Sequence, residues 1–171
     1  ALPDRQAPAF LPAQPVLAMG ADMKAALALT HLDYLYVSQY LGDMDSYLTQ
    51  QYYEATLKHL QSVLGHHPEI VLVDKHPSYF STGLGNNLAK KNRLPIHEIQ
   101  HHKAHFYAVL GENKLLETPE TVLGVIWDGT GYGDDGMIWG GEFFSYAQGT
   151  MTRVGHLPYF PFILGDKMPC E

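Results

Sequence analysis

Thr121-Val122-Leu123-Gly124-Val125-Ile126-Trp127 runs into Asp128-Gly129-Thr130-Gly131-Tyr132-Gly133-Asp134-Asp135-Gly136, and the fold hangs on how these sixteen residues are read. The first seven are strongly apolar and partly β-branched, which predicts a strand. The next nine hold four glycines, which predicts a turn that starts at Asp128. Beyond it, Met137 to Gln148 and Met151 to Leu157 read as a hairpin around Gly149-Thr150. The stretch therefore opens a β-meander.

Upstream, the pattern alternates. Val16 to Met19 reads as a short buried strand, stopped by Gly20. Ala26 to Thr30 and Tyr34 to Ser38 read as two more, joined by a turn at His31-Leu32-Asp33. From Ser46, apolar residues recur at Tyr47, Leu48, Tyr52, Tyr53, Leu57, Leu60 and Leu64, a helical spacing that Gly65 closes. Glu69 to Asp74 is a strand by its β-branched content, Ser81 to Lys91 a helix weakened by two glycines, and Ile96 to Gln100 a strand. His101 to Asn113 is a third helix, with Ala104, Ala108, Val109 and Leu110 on or near its buried face. Strands alternating with helices predict a mixed α/β sheet. The second meander repeats the plan of the first, which predicts a duplicated architecture whose second copy is truncated. Residues 1–15, rich in Pro and Ala, read as an interdomain linker. Residues 16–120 read as a first lobe, and 121–171 as the opening meander of a second.

The chain has 171 residues, 46% of them hydrophobic, enough to bury a core. Its formal charge of -7 disfavours a nucleic-acid partner, since no basic stripe offsets it. The single cysteine, Cys170, excludes an internal disulfide and fits a reducing cytoplasm. No apolar run is long enough to span a membrane, and no signal peptide is visible. Ten histidines are the anomaly, and their grouping tells more than their number.

His101 and His105 stand one helical turn apart, so both imidazoles project from one face. The spacing fits a shared metal and equally a polar helix start. The place of this helix, directly after a strand, favours the metal, because ligand sites in α/β sheets lie at strand carboxyl ends. His102 points about 100 degrees away and joins the pair less easily. Asp128, after the most apolar strand, is the natural third ligand, or else an ordinary turn residue. Two histidines and a carboxylate suit zinc or iron and leave positions open for substrate. The glycine stretch after Asp128 is a candidate phosphate cradle or a wide hairpin loop. It is neither a Walker nor a Rossmann fingerprint. Gly140-Gly141-Glu142 suggests a bulge, close ligand approach, or packing against Trp139 or Phe143. Asp22 and Lys24, at the turn of the first strand, can orient phosphate or metal-bound water, or form a local ion pair.

Taken in order, Gly20-Ala21-Asp22-Met23-Lys24, Ser38-Gln39-Tyr40-Leu41-Gly42-Asp43, His76-Pro77 with Tyr79 and Ser81-Thr82, Gln100-His101-His102-Lys103-Ala104-His105, Trp127 to Gly133 and Gly140 to Phe143 resemble the carbamoyltransferase HypF family of nickel–iron hydrogenase maturation. The resemblance runs from about Val16 to the end and falls in that family's C-terminal domain, which is similar to the enzymes that attach threonylcarbamoyl to tRNA. It implies an actin-like, Hsp70-like ATPase fold of the ribonuclease H-like type. It implies that carbamoyl phosphate and ATP, with magnesium, give carbamoyl adenylate, and that the carbamoyl group passes to the C-terminal cysteine of the partner HypE. By the same resemblance His101, His105 and Asp128 hold a metal, with a last carboxylate beyond residue 171. Gly129, Thr130, Gly131, Gly140, Gly141 and Glu142 are then expected at the nucleotide, and Asp22 and Lys24 at the chemistry. Leu164-Gly165-Asp166-Lys167 departs from the family's usual Pro-Gly-Gly-Asp. Without a second lobe the piece is expected to be inactive in isolation. An O-carbamoyltransferase or a tRNA threonylcarbamoyl-transferase relative is the alternative, although the tRNA enzymes carry Ser-Gly-Gly-His-Thr at the turn. A non-catalytic docking module for HypE is the third reading.

Overall fold

The computed structural model describes residues 11–159. The linker reading lies largely outside these residues, and the readings at Leu164 to Lys167 and Cys170 lie wholly outside them. The chain divides between Ile99 and Gln100 into two compact units.

The first unit is a five-stranded sheet with two helices. Its strands are β1 (Val16–Ala18), β2 (Ala28–His31), β3 (Tyr34–Val37), β4 (Ile70–Asp74) and β5 (Ile96–Ile99), in the order β3-β2-β1-β4-β5. β1, β2 and β3 pair antiparallel as the predicted meander, while β1, β4 and β5 are parallel. The turn between β2 and β3 is tighter than its sequence suggests: His31 pairs with Tyr34, leaving only Leu32 and Asp33 to reverse the chain. The two helices are α1 (Tyr47–Leu64) and α2 (Phe80–Asn92). Gly65, at φ 58, ends α1 as expected of a left-handed cap. Of the apolar series along α1, only Tyr53 and Leu57 are buried. Tyr47 and Leu48 are more than two-thirds exposed. The glycines of α2 serve packing. A Cβ on Gly85 would lie 2.5 Å from Val73 Cγ1, so glycine lets α2 settle onto β4. Leu17, Met19, Leu27, Tyr53, Val71 and Val73 lie at the centre of this core.

The second unit is α3 (His101–Glu112) with an antiparallel sheet of β6 (Val122–Tyr132), β7 (Ile138–Ala147) and β8 (Thr150–His156). Phe106 and Leu110 of α3 pack with Trp139, Phe144 and Tyr146. Two expectations are corrected here. The buried face of α3 is His102, Phe106 and Leu110, whereas Ala104 and Ala108 are exposed. The chain also does not turn at Asp128. β6 continues through Tyr132, with its register shifted between Trp127 and Gly131. Trp127 faces Gly141 and Gly131 faces Trp139, so residues 128–130 bulge against Gly140 alone. The reversal comes later, where Gly133 N–H donates to Met137 O at 2.9 Å.

Candidate metal centre

Asp128 stands at the start of the β6 bulge, and His101 is the first residue of α3. Helical spacing brings His105 beside His101, their Nε2 atoms 3.2 Å apart. Asp128 Oδ2 lies 3.2 Å from His101 Nε2 and 3.6 Å from His105 Nε2. The sequence-predicted triad is thus assembled, and it forms a group of three ligand atoms facing one another. Atoms bound about 2.0–2.1 Å from a tetrahedral zinc stand roughly 3.3 Å from each other, which is the spacing found.

The charge state also fits. Asp128 Oδ2 is buried, and no donor is aligned on it for a hydrogen bond. Its other oxygen, Oδ1, accepts Gly129 N–H at 2.8 Å. Burial pushes the carboxyl upward, but the two imidazoles beside it and the Gly129 N–H outweigh this and hold it well below the usual carboxylate range. An ionised carboxylate and two imidazoles suit a divalent zinc or iron. Lys103 Nζ, on the same turn of α3, meets Asp134 Oδ2 at 2.6 Å.

The glycine positions sort into two kinds. At Gly131 a Cβ would lie 2.5 Å from His102 Cε1, and at Gly141 one would lie 2.7 Å from Leu157 Cδ1. Both make room for neighbouring side chains. A Cβ on Gly140 would lie 3.5 Å from the Asp128 and Gly129 carbonyl oxygens, an ordinary van der Waals distance. Gly129 and Thr130 lie on the bulge itself.

Glu142, expected at the nucleotide, is 1% exposed. Its Oε1 accepts Gly140 N–H at 3.1 Å, and its Oε2 accepts Arg153 Nε at 2.6 Å. Arg153 lies over the Trp139 ring, 3.9 Å from its centroid, and donates to Tyr159 Oη at 2.7 Å. Asp135 closes the group, accepting from Trp139 Nε1 at 2.8 Å and from Tyr159 Oη at 2.9 Å. Sequence reading missed Arg153 as the partner of Glu142, and Asp135 as a second carboxylate on Arg153. The signal for Arg153 is the alternation along β8, which does not name a partner across the sheet.

Asp22 and Lys24 lie in the first unit. The Asp22 carboxylate accepts Phe80 N–H at 2.7 Å, Ser81 N–H at 2.9 Å and Ser81 Oγ at 2.8 Å. It thus caps the first turn of α2 from 58 residues away in the chain. Lys24, exposed and at φ 49, donates its backbone N–H to Asp43 Oδ1 at 2.7 Å. Among the described residues no ion pair joins Asp22 to Lys24.

Comparison with known proteins gives a consistent result. Residues 12–112 match the family described as HypF Kae1-like domain. Residues 124–171 match the second subdomain of the carbamoyltransferase Kae1-like domain. The carbamoyltransferase HypF of Synechocystis sp. is 43% identical over 152 residues, covering 89% of this chain and 19% of that protein. HypF2 of Cupriavidus necator is 40% identical over 156 residues, covering 91% and 19%. Among solved structures, T. kodakarensis HypF superposes with a TM-score of 0.81 at 30% identity, over 90% of this chain and 20% of that one. Full-length HypF in its phosphate- and nucleotide-bound form gives 0.77 at 33% identity, over 86% and 19%. YeaZ from Pseudomonas aeruginosa shares the fold at 16% identity, with a TM-score of 0.57 over 83% of this chain and 65% of that one. The fold is the actin-like, ribonuclease H-like fold of Kae1-like domains, present in part. The chain spans about a fifth of the length of the curated HypF relatives it matches.

Proposed function

The chain belongs to the carbamoyltransferase HypF family, and we propose that it forms part of a carbamoyl-transfer domain that carries a carbamoyl group from carbamoyl adenylate to the C-terminal cysteine of HypE. Carbamoyl phosphate and ATP, with magnesium, supply the adenylate. The cysteine sulfur bonds to the carbamoyl carbon, AMP departs, and the thiocarboxamide serves cyanide-ligand synthesis in hydrogenase maturation. The observation that carries this reading is the triad of His101 Nε2, His105 Nε2 and Asp128 Oδ2, whose spacing fits one divalent ion. A bound zinc or iron would supply Lewis-acid polarisation to a phosphate or carbamoyl oxygen.

The remaining roles follow from the residues. Gly129, Thr130 and Gly131 of β6, with Gly140 and Gly141 of the neighbouring β7, are the proposed phosphate side, where a bulge in the ladder lets backbone groups approach an anion. A structural relative, full-length HypF, is known in a phosphate- and nucleotide-bound form, which supports a nucleotide as ligand of the whole protein. Glu142 acts through Gly140, whose N–H it holds. Asp22 fixes the turn after β1, and the exposed Lys24 is left to meet phosphate. We propose residues 16–120 as the first lobe and 121–171 as the opening of the second, with support from the break between the two family segments.

Replacing His101 and His105 together by Ala in a full-length HypF carrying this segment should reduce carbamoyl transfer to a cysteine-terminated HypE at least a hundredfold (~10², two ligands lost). Transfer at the parental rate would remove the metal triad from the mechanism.

A further inference from the structure

We propose that Gln100 and His102 are positioning residues of the metal centre, a buried clamp that fixes the first turn of α3 to β6 and β7 so that His101 and His105 meet Asp128. The inference rests on the metal-site reading above.

Gln100 and His102 flank the ligand His101 in the chain, and both are buried, at 3% and 0% exposure. Every polar atom of their side chains has a partner. His102 Nε2 lies 3.0 Å from Gly140 O, which can only accept, so the proton is on Nε2. Nδ1 is then an acceptor, and Gln100 Nε2 donates to it at 3.2 Å. The same amide nitrogen donates to Tyr132 O at 3.2 Å. Gln100 Oε1 accepts Lys103 N–H at 3.0 Å and so caps α3. The clamp thus grips β6 at Tyr132 and β7 at Gly140. Gly140 is the residue opposite the Asp128 bulge. Gly131 gives His102 its space, since a Cβ there would lie 2.5 Å from the imidazole.

Core filling alone does not call for this chemistry. Phe106 and Leu110 continue the same buried stripe with apolar side chains. A third apolar residue at position 102 would avoid desolvating an imidazole. What histidine adds is direction: two hydrogen bonds set the helix's rotation and its height along β7. Supporting groups of this kind govern how well ligand side chains converge on an ion.

The test is a Co2+ titration of the 171-residue chain, read by the visible absorption of the bound ion, with circular dichroism as the control on folding. His102→Leu keeps the volume and removes both bonds. His102→Gln restores an N–H towards Gly140 O. We expect His102→Leu to bind Co2+ roughly 10–100-fold more weakly and His102→Gln to recover most of the loss. Should His102→Leu fail to fold, Gln100→Ala decides, with a roughly tenfold weakening expected. A folded His102→Leu that binds within about twofold of the parent overturns the clamp, as does an equally tight Gln100→Ala where that variant decides, and so does a His102→Gln no better than His102→Leu. A parent chain that binds no Co2+ defeats the metal-site reading itself, a result distinct from those three.

Discussion

At the scale of single residues, Asp22 shows how a carboxylate holds the start of a helix distant in the chain. It receives two backbone N–H groups and a hydroxyl from α2. Asp22→Ala would leave these donors without their acceptor, and urea denaturation should show a loss of about 1–3 kcal/mol. A loss below about 0.5 kcal/mol would mean that water replaces the carboxylate at no cost. His66, only 2% exposed, gives a pH-dependent counterpart. Burial is the largest influence on its imidazole and pushes it below the ordinary value of 6.5. Below that value the unfolded chain takes a proton that the folded chain resists, so stability is held above it and declines as pH falls through the window beneath. The urea midpoint should therefore drop between about pH 7.5 and about pH 5.5, and His66→Gln should drop less. An equal drop in both proteins would assign the effect to other groups.

At the scale of elements, α3 and β6 carry the site, and each was only half legible in sequence. The apolar stretch from Val122 to Trp127 announced a strand, but its continuation to Tyr132 depends on pairing with β7, which glycine-rich local sequence conceals. His101 and His105 were readable because helical spacing alone aligns them. His102 was not, because its burial is decided by the sheet beneath it. Hydrophobicity alone favours Ala104, Ala108, Val109 and Leu110, and of these only Leu110 is buried, beside Phe106 and His102. A pair of substitutions tests that face. Phe106→Ala should cost about 3–5 kcal/mol, while Val109→Ala, at a half-exposed position, should stay within about 0.5 kcal/mol. Comparable losses at both would place the wrong face against the sheet. The first unit was more legible, since β4 and α1 follow from β-branched content and from apolar periodicity closed by Gly65.

At the scale of the whole molecule, the candidate metal centre lies entirely in the second unit, which begins at Gln100. Its ligands come from a helix and a strand, so an ion there would tie α3 to β6. An ion present at about a hundred times its dissociation constant should stabilise that unit by about 2.7 kcal/mol, slowing amide exchange along residues 101–112 and 122–132. No helix among the described residues is long and apolar enough to cross a membrane. The central claim is that His101, His105 and Asp128 hold one divalent ion. Its most direct test is metal analysis by mass spectrometry of the purified chain after zinc loading and desalting, beside the His101→Ala, His105→Ala double variant. The account predicts about one zinc per parent chain and close to none in the variant. Equal metal content in a folded double variant, or none in the parent, would contradict it.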